Sequence, residues 1–252
     1  MKLIQIRPLL AAMAMLVFAG GAWAAPDYAR EKRLADEVVP SVVVGEAVTL
    51  QTGAGRRFLG LLTIPAKPRA ALILVHGMGV HPDFGVTGEL RVRLADRGYT
   101  TLSIQMPVLA SDANAADYPA LFPEAGERIA AAVDYLRGKG ATKVAIVSHS
   151  VGARMVNDFI SHRPETPLIA WVPVTISSGG FESLAGVRFP VFDIYAEKDF
   201  EVVLKGAPAR AKVLRSIRGS KQAMVYGTDH YFGKKEKEVA ALIDQLLAPL
   251  AK

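Results

Sequence analysis

The sequence predicts an α/β fold, a mostly parallel, doubly wound sheet that begins with an antiparallel hairpin. Three observations carry this. From about residue 70 onward, short apolar runs of strand length alternate with stretches whose apolar residues recur at helical spacing. Such alternation places parallel strands beneath crossover helices. Two strand-like segments, 41–51 and 57–64, are joined through Thr52-Gly53-Ala54-Gly55, a turn short enough for a hairpin. The composition is globular, 51% hydrophobic and 21% charged over 252 residues, enough for one sizeable core.

In order along the chain, the first segment is a targeting signal. Lys2 and Arg7 make a positive start, residues 9–20 are apolar, and Ala22-Trp23-Ala24 supplies small residues at both positions of an A-x-A site. The apolar run is short for a bilayer span and no stop-transfer pattern follows. We read 1–24 as a signal peptide whose cleavage leaves a single domain over 25–252. The expected location is periplasmic or secreted, with no stable membrane anchor after cleavage. Residues 27–39 read as a short charged helix, and 41–51 and 57–64 as the hairpin strands. Residues 70–75 are a continuous apolar run, a buried strand. A helix over 89–97 ends at Gly98, a strand follows at 100–105, and 106–121 is a long irregular connection. Ile129, Ala132, Val133 and Leu136 share one face of a helix over 125–136. Further strands are expected at 143–147, 168–174, 191–195 and 222–226. Helices are expected from Val151, over 207–216, and around Val239, Leu242, Ile243, Leu246 and Leu247.

Composition excludes several classes of function. Cysteine is absent, so thiol catalysis and cysteine metal sites are ruled out, and an exported chain needs no disulfide. The net charge of +6 is mild and its basic residues are scattered, so no nucleic-acid partner is expected. Neither G-x-x-x-x-G-K-[ST] nor G-x-G-x-x-G occurs, and no nucleotide cofactor is implied. The sequence carries no signal for an oligomeric state.

The chemistry centres on Ser148-His149-Ser150-Val151-Gly152. A buried strand precedes it and a helical pattern with Met155, Phe159 and Ile160 on one face follows. A serine on a sharp strand-to-helix turn, with small residues two before and two after, is the pattern of a nucleophile elbow. The small neighbours let strand and helix approach. The turn sets the Ser150 hydroxyl and the Val151 N–H at a helix N-terminus, where developing negative charge is favoured. Here the chain resembles the α/β-hydrolase superfamily, with Ser148 in place of the first glycine of G-x-S-x-G.

That resemblance implies the α/β-hydrolase fold and assigns the remaining motifs. His76-Gly77-Met78-Gly79, directly after the 70–75 strand, resembles the superfamily's oxyanion loop. The Met78 N–H would partner that of Val151, while His76, Gly77 and Gly79 support the loop. Tyr195-Ala-Glu-Lys-Asp199 holds the triad acid, Asp199 with Glu197 as the alternative. His230, in Gly227-Thr-Asp-His230, is the base. Ser150, Asp199 and His230 follow the superfamily's chain order of nucleophile, acid and base. Asp229 adjoins the base and reads as a neighbour. His149 reads as structural, pointing away from the hydroxyl. The segments from His76 to Asp83 and from Leu102 to Pro107 also resemble a little-characterised bacterial family of exported α/β-hydrolase-like proteins, from about Ala70 onward.

The resulting expectation is an exported serine hydrolase acting on a small-molecule carboxylic ester, with no cofactor and no metal. A peptidase or thioesterase would use the same groups. Two other readings stand beside it. One is a catalytically silent scaffold binding a cell-envelope partner or lipid. The other is a metal site formed by His76, His81 and Asp83. The connection 175–190, where the superfamily often inserts a lid, is short. This favours small soluble esters over long-chain lipids.

Overall fold

The protein is described by a computed structural model over residues 25–252, and the expected signal peptide 1–24 lies outside the described residues. The hairpin forms as expected. β1 (Glu46–Gln51) pairs antiparallel with β2 (Arg57–Thr63), with Glu46 opposite Leu62 and Gln51 opposite Arg57. Only β1 alternates clearly with solvent. β3 (Ala71–Val75) and the later β6 (Ala170–Val174) are buried along their whole length, as their unbroken apolar runs require, and β4 (Thr100–Ile104) is equally buried, its Thr101 and Ser103 hydroxyls donating to the Arg91 and Pro82 carbonyls. With β5 (Val144–His149), β7 (Phe192–Lys198) and β8 (Lys221–Asp229) they complete one eight-stranded sheet, in the order β1-β2-β4-β3-β5-β6-β7-β8. β2 is antiparallel to β4, and every pairing from β4 through β8 is parallel.

Six α-helices accompany the sheet among the described residues. They are α1 (Tyr28–Val38), α2 (Gly85–Ala95), α3 (Phe122–Gly138), α4 (Val151–His162), α5 (Glu201–Leu214) and α6 (Glu236–Leu247). Two apolar layers result. One holds Ile129, Val133 and Leu136 of α3 and Met155, Phe159 and Ile160 of α4 against one sheet face. The other holds Leu90 and Leu94 of α2 and Val239, Ile243 and Leu247 of α6 against the opposite face. None of the helices is long and apolar enough to cross a membrane among the described residues.

Some boundaries differ from the sequence reading. The first strand begins at Glu46, because 42–45 include a left-handed Gly45 that breaks extension. α2 starts four residues earlier than expected, at Gly85. α5 starts at Glu201 and runs through Pro208, which as a sequence signal reads as a helix start. Arg210 of α5 fixes it to β7 by donating from Nε to Asp193 Oδ2 at 2.8 Å, both side chains being fully buried.

The strand order also locates a crevice. The chain moves from β3 outward to β4, then returns past β3 to β5 and continues the other way. This reversal is the switch point at which open α/β sheets bind ligands, beyond the carboxyl ends of the strands. His76 follows β3 and Ser150 follows β5.

Candidate active site

Ser150 has φ 56° and ψ −120°, a conformation that costs a non-glycine residue about 1–3 kcal/mol. Packing on both sides holds it there. The Ser150 N–H donates to the Val174 carbonyl of β6 at 3.1 Å. Gly152, two residues on, lies against the end of β3, where an added Cβ would sit 2.2 Å from the His76 carbonyl oxygen. Gly152 is therefore required by contact. Ser148, two residues before, is buried. Its Oγ accepts a 2.8 Å hydrogen bond from the indole Nε1 of Trp171 on β6. A glycine there would leave the buried indole N–H without its partner, so the departure from glycine has a structural reason.

The structure brings Ser150, His230 and Asp199 together. Ser150 Oγ lies 2.9 Å from His230 Nε2, and His230 Nδ1 lies 2.7 Å from Asp199 Oδ1. With the ring neutral and its proton on Nδ1, that N–H donates to the carboxylate and Nε2 accepts from the hydroxyl. Asp199 is enclosed by further donors. Thr175 Oγ1 and the Ala196 N–H donate to Oδ2, and the Phe200 N–H donates to Oδ1 at 2.8 Å. Burial raises the Asp199 pKa, but the hydrogen bonds from His230, Thr175 and Ala196 outweigh it and hold the carboxyl below its ordinary value. The Phe200 ring stacks on the imidazole with centroids 3.9 Å apart and planes 19° apart, fixing the ring's tilt.

Glu197 and Asp229 do not enter this set. Glu197 Oε2 accepts from the Gly227 N–H at 2.9 Å, and Asp229 Oδ1 accepts from the Tyr231 N–H at 3.0 Å. A register shift between β7 and β8 at Ala196 and Lys198 turns both chains just before Asp199 and His230, which then face each other.

The glycine loop after β3 passes over Ser150. A Cβ on Gly77 would lie 3.4 Å from Ser150 Cβ and 3.3 Å from His149 Nδ1. Neither the Met78 nor the Val151 N–H finds a backbone acceptor among the described residues. His76 braces this loop internally. Its Nδ1–H donates to the Gly77 carbonyl at 2.8 Å, and its Nε2 accepts from the Met106 N–H at 2.9 Å. Burial drives its pKa down to about 3, so the ring is neutral. Gly79, at φ 68°, turns its carbonyl toward α1, where Arg30 Nη2 donates to it at 2.8 Å. Arg30 also donates from Nη1 to the Leu109 carbonyl, joining the glycine loop to the 106–121 connection.

His149 differs from expectation in one respect. It lines the same cavity as the hydroxyl, and its Nε2–H donates to the His230 carbonyl at 3.0 Å. Burial takes its pKa to about 4, leaving it neutral as a prop for the histidine loop. His76, His81 and Asp83 do not form a cluster. Both His76 nitrogens are engaged as above, His81 Nδ1 accepts from the Asp83 N–H, and the Asp83 carboxylate pairs with Arg91 at 2.7 Å. No group of three metal-ligating side chains occurs among the described residues.

The hydroxyl opens into a cavity of about 570 Å³ lined mainly by apolar side chains, with Met78, Phe84, Phe200 and Tyr231 exposed at its rim. Sequence reasoning missed Thr175, Phe200, Trp171, Arg30 and Arg154 here. Thr175 had a usable signal, since it directly follows β6 at the carboxyl ends of the strands, where the other motifs gather. Arg30 had none, because its partners are carbonyls 49 and 79 residues away.

Solved structures with this architecture are numerous, and the fold is the α/β-hydrolase fold. Est1E from Butyrivibrio proteoclasticus superposes with a TM-score of 0.63 at 15% identity, covering 81% of this chain and 98% of that one. A serine hydrolase without a lid from Xanthomonas campestris gives 0.63 at 13%, covering 82% and 95%. A dienelactone hydrolase from Anabaena variabilis gives 0.63 at 20%, covering 80% and 95%. No protein-family model matches the sequence. No curated protein matches it either.

Proposed function

We propose that the protein is an exported serine hydrolase of small carboxylic esters. The observation that carries this is the unbroken hydrogen-bonded chain from Ser150 Oγ through His230 to Asp199, set beside two free backbone N–H groups. The lidless serine hydrolase among the similar folds agrees with it.

In the first half-reaction Ser150 Oγ forms a bond to the ester carbonyl carbon as its proton passes to His230 Nε2. The carbonyl electron pair moves onto oxygen, which the Met78 and Val151 N–H groups receive. Asp199, ionised and hydrogen-bonded to Nδ1–H, holds the tautomer and stabilises the imidazolium. The intermediate collapses as the carbon–alkoxy bond breaks, and His230 gives its proton to the departing oxygen. A water then repeats the sequence. Its proton goes to His230, its oxygen bonds the acyl carbon, and Ser150 leaves with the proton returned. The products are a carboxylic acid and an alcohol.

Small soluble substrates fit the site better than long-chain lipids. The 175–190 connection contains turns and no helix, so it supplies no cap, like the lidless Xanthomonas hydrolase. Export is the remaining part of the proposal, carried by the sequence of 1–24 alone. N-terminal sequencing of the exported form should begin near Ala25.

The deciding experiment is labelling with an active-site-directed fluorophosphonate. Folded wild-type protein should react at Ser150, and Ser150→Ala and His230→Ala should not. Ser148, two residues away and bonded to Trp171, should stay unlabelled. A folded wild type that takes no label at any serine, beside a reactive control hydrolase, favours the binding-scaffold reading and ends this one.

A further inference from the structure

The cavity above Ser150 is lined mainly by apolar side chains, with a few polar groups and a single side chain of fixed charge. Arg154 is the one arginine, lysine or carboxylate among the described residues that line it. It sits on α4, four residues past the nucleophile. At 1.5 Å of rise per residue this places its Cα about 6 Å further along the helix axis. Helical side chains lean toward the N-terminus, so the Arg154 stem tilts toward the end of α4 that carries Ser150.

Its partners do not neutralise it. Arg154 Nη1 donates to the Ala115 carbonyl at 3.2 Å, and the guanidinium stands 5.4 Å from the centre of the Phe122 ring. It forms no ion pair among the described residues. The Glu182 carboxylate favours its charge through space, with no hydrogen bond or ion pair between the two. The three wholly enclosed arginines are each neutralised. Arg91 pairs with Asp83, Arg128 with Glu31 and Glu124, and Arg210 with Asp193. Arg154 is half-buried, burial works against its charge, and a guanidinium does not deprotonate in compensation. The same cavity holds a second unspent donor. Ser177 Oγ is shielded from solvent, lines the cavity and has no hydrogen-bond partner among the described residues.

We infer that Arg154 makes this a site for esters that carry an anionic group, a carboxylate on the part of the substrate that lies along α4. The inference rests on the hydrolase reading for the word ester. The recognition itself does not, since an anion bound by Arg154 requires no chemistry at Ser150. A carboxylate would supply the charge the guanidinium lacks, in two parallel hydrogen bonds, while the apolar walls take the connecting carbons. Hydrogen bonds between charged groups of this kind amount to roughly tenfold or more in affinity.

The test separates the two readings. Ser150→Ala protein, which performs no chemistry, is titrated calorimetrically with p-nitrophenyl hemiglutarate and with the same compound methylated on its free carboxyl. The anionic form should bind at least about tenfold more tightly. Adding Arg154→Gln should bring the two affinities together, and Arg154→Lys should keep part of the difference. Equal binding of the two forms by Ser150→Ala, or a preference that survives Arg154→Gln, overturns the inference. Turnover of both compounds by protein with Ser150 intact is then read separately. Selective binding with no release of p-nitrophenolate from either compound upholds the anion site and sinks the hydrolase reading. Release from both at equal kcat/KM, with equal binding, does the reverse.

Discussion

Two aspartates compete on paper for the role of orienting His230, and their surroundings separate them. Asp229 is adjacent in sequence, yet its carboxylate is spent on the Tyr231 N–H, a local turn bond on an exposed residue. Asp199 is buried, reaches His230 Nδ1 at 2.7 Å, and has its other oxygen held by Thr175 and the Ala196 N–H. Asp199→Asn should therefore lower kcat by on the order of 10^4, because an amide donor at this place favours the wrong tautomer. Asp229→Asn should leave kcat within about threefold, since only a turn hydrogen bond is altered. Steady-state kinetics on an activated ester reads both. A larger loss in Asp229→Asn would transfer the role to that residue.

Among the elements, the β5–α4 junction shows how packing writes itself into a motif. Gly152 is glycine because the His76 carbonyl oxygen leaves no room for a Cβ. Ser148 is serine because Trp171, fully buried in the adjacent β6, points its N–H at that position. Ser148→Gly should thus lower stability by about 1–3 kcal/mol, despite restoring the commoner G-x-S-x-G. In a Trp171→Phe background the same change should cost less, and a double-mutant cycle by urea unfolding measures the difference. Additive effects would mean that the indole bond does not explain the serine. Such pairings mark the boundary of what the sequence discloses. Elements with strong periodicity, such as α3, α4 and α6, and the unbroken apolar strands were legible because burial dictates their residue pattern. Ser150, Asp199 and His230, which the structure brings together, were legible because each follows a strand in the superfamily's order. The early start of α5 was hidden by Pro208. Arg30 and Arg154 were hidden because their contacts are with backbone carbonyls or a cavity, which leave no pattern in the chain.

At the scale of the whole molecule, two neutral histidines tie stability to pH. His76 and His149 have folded pKa values of about 3 and about 4, well below the ordinary 6.5, chiefly through burial. Between those values and 6.5 the unfolded chain binds more protons than the folded one, so acid favours unfolding. Their contribution is fully present above about pH 6.5 and is lost as pH falls toward the folded values. Asp199, with its folded pKa depressed, adds stability that is present above its unfolded pKa and also fades in acid. Melting temperature should fall steadily as pH is lowered from 7 to 4, with a shallower slope in His149→Asn than in wild type. Equal slopes would place the acid sensitivity elsewhere. The sheet order has a consequence for the growing chain as well. β8 is an edge strand, paired with β7 alone, and His230 directly follows it. Ser150 is synthesised 80 residues before His230 and meets it only when the last strand docks. A partly made chain therefore holds Ser150 without its hydrogen-bond partner, and the Ser150–His230–Asp199 arrangement exists only once the sheet's far edge closes.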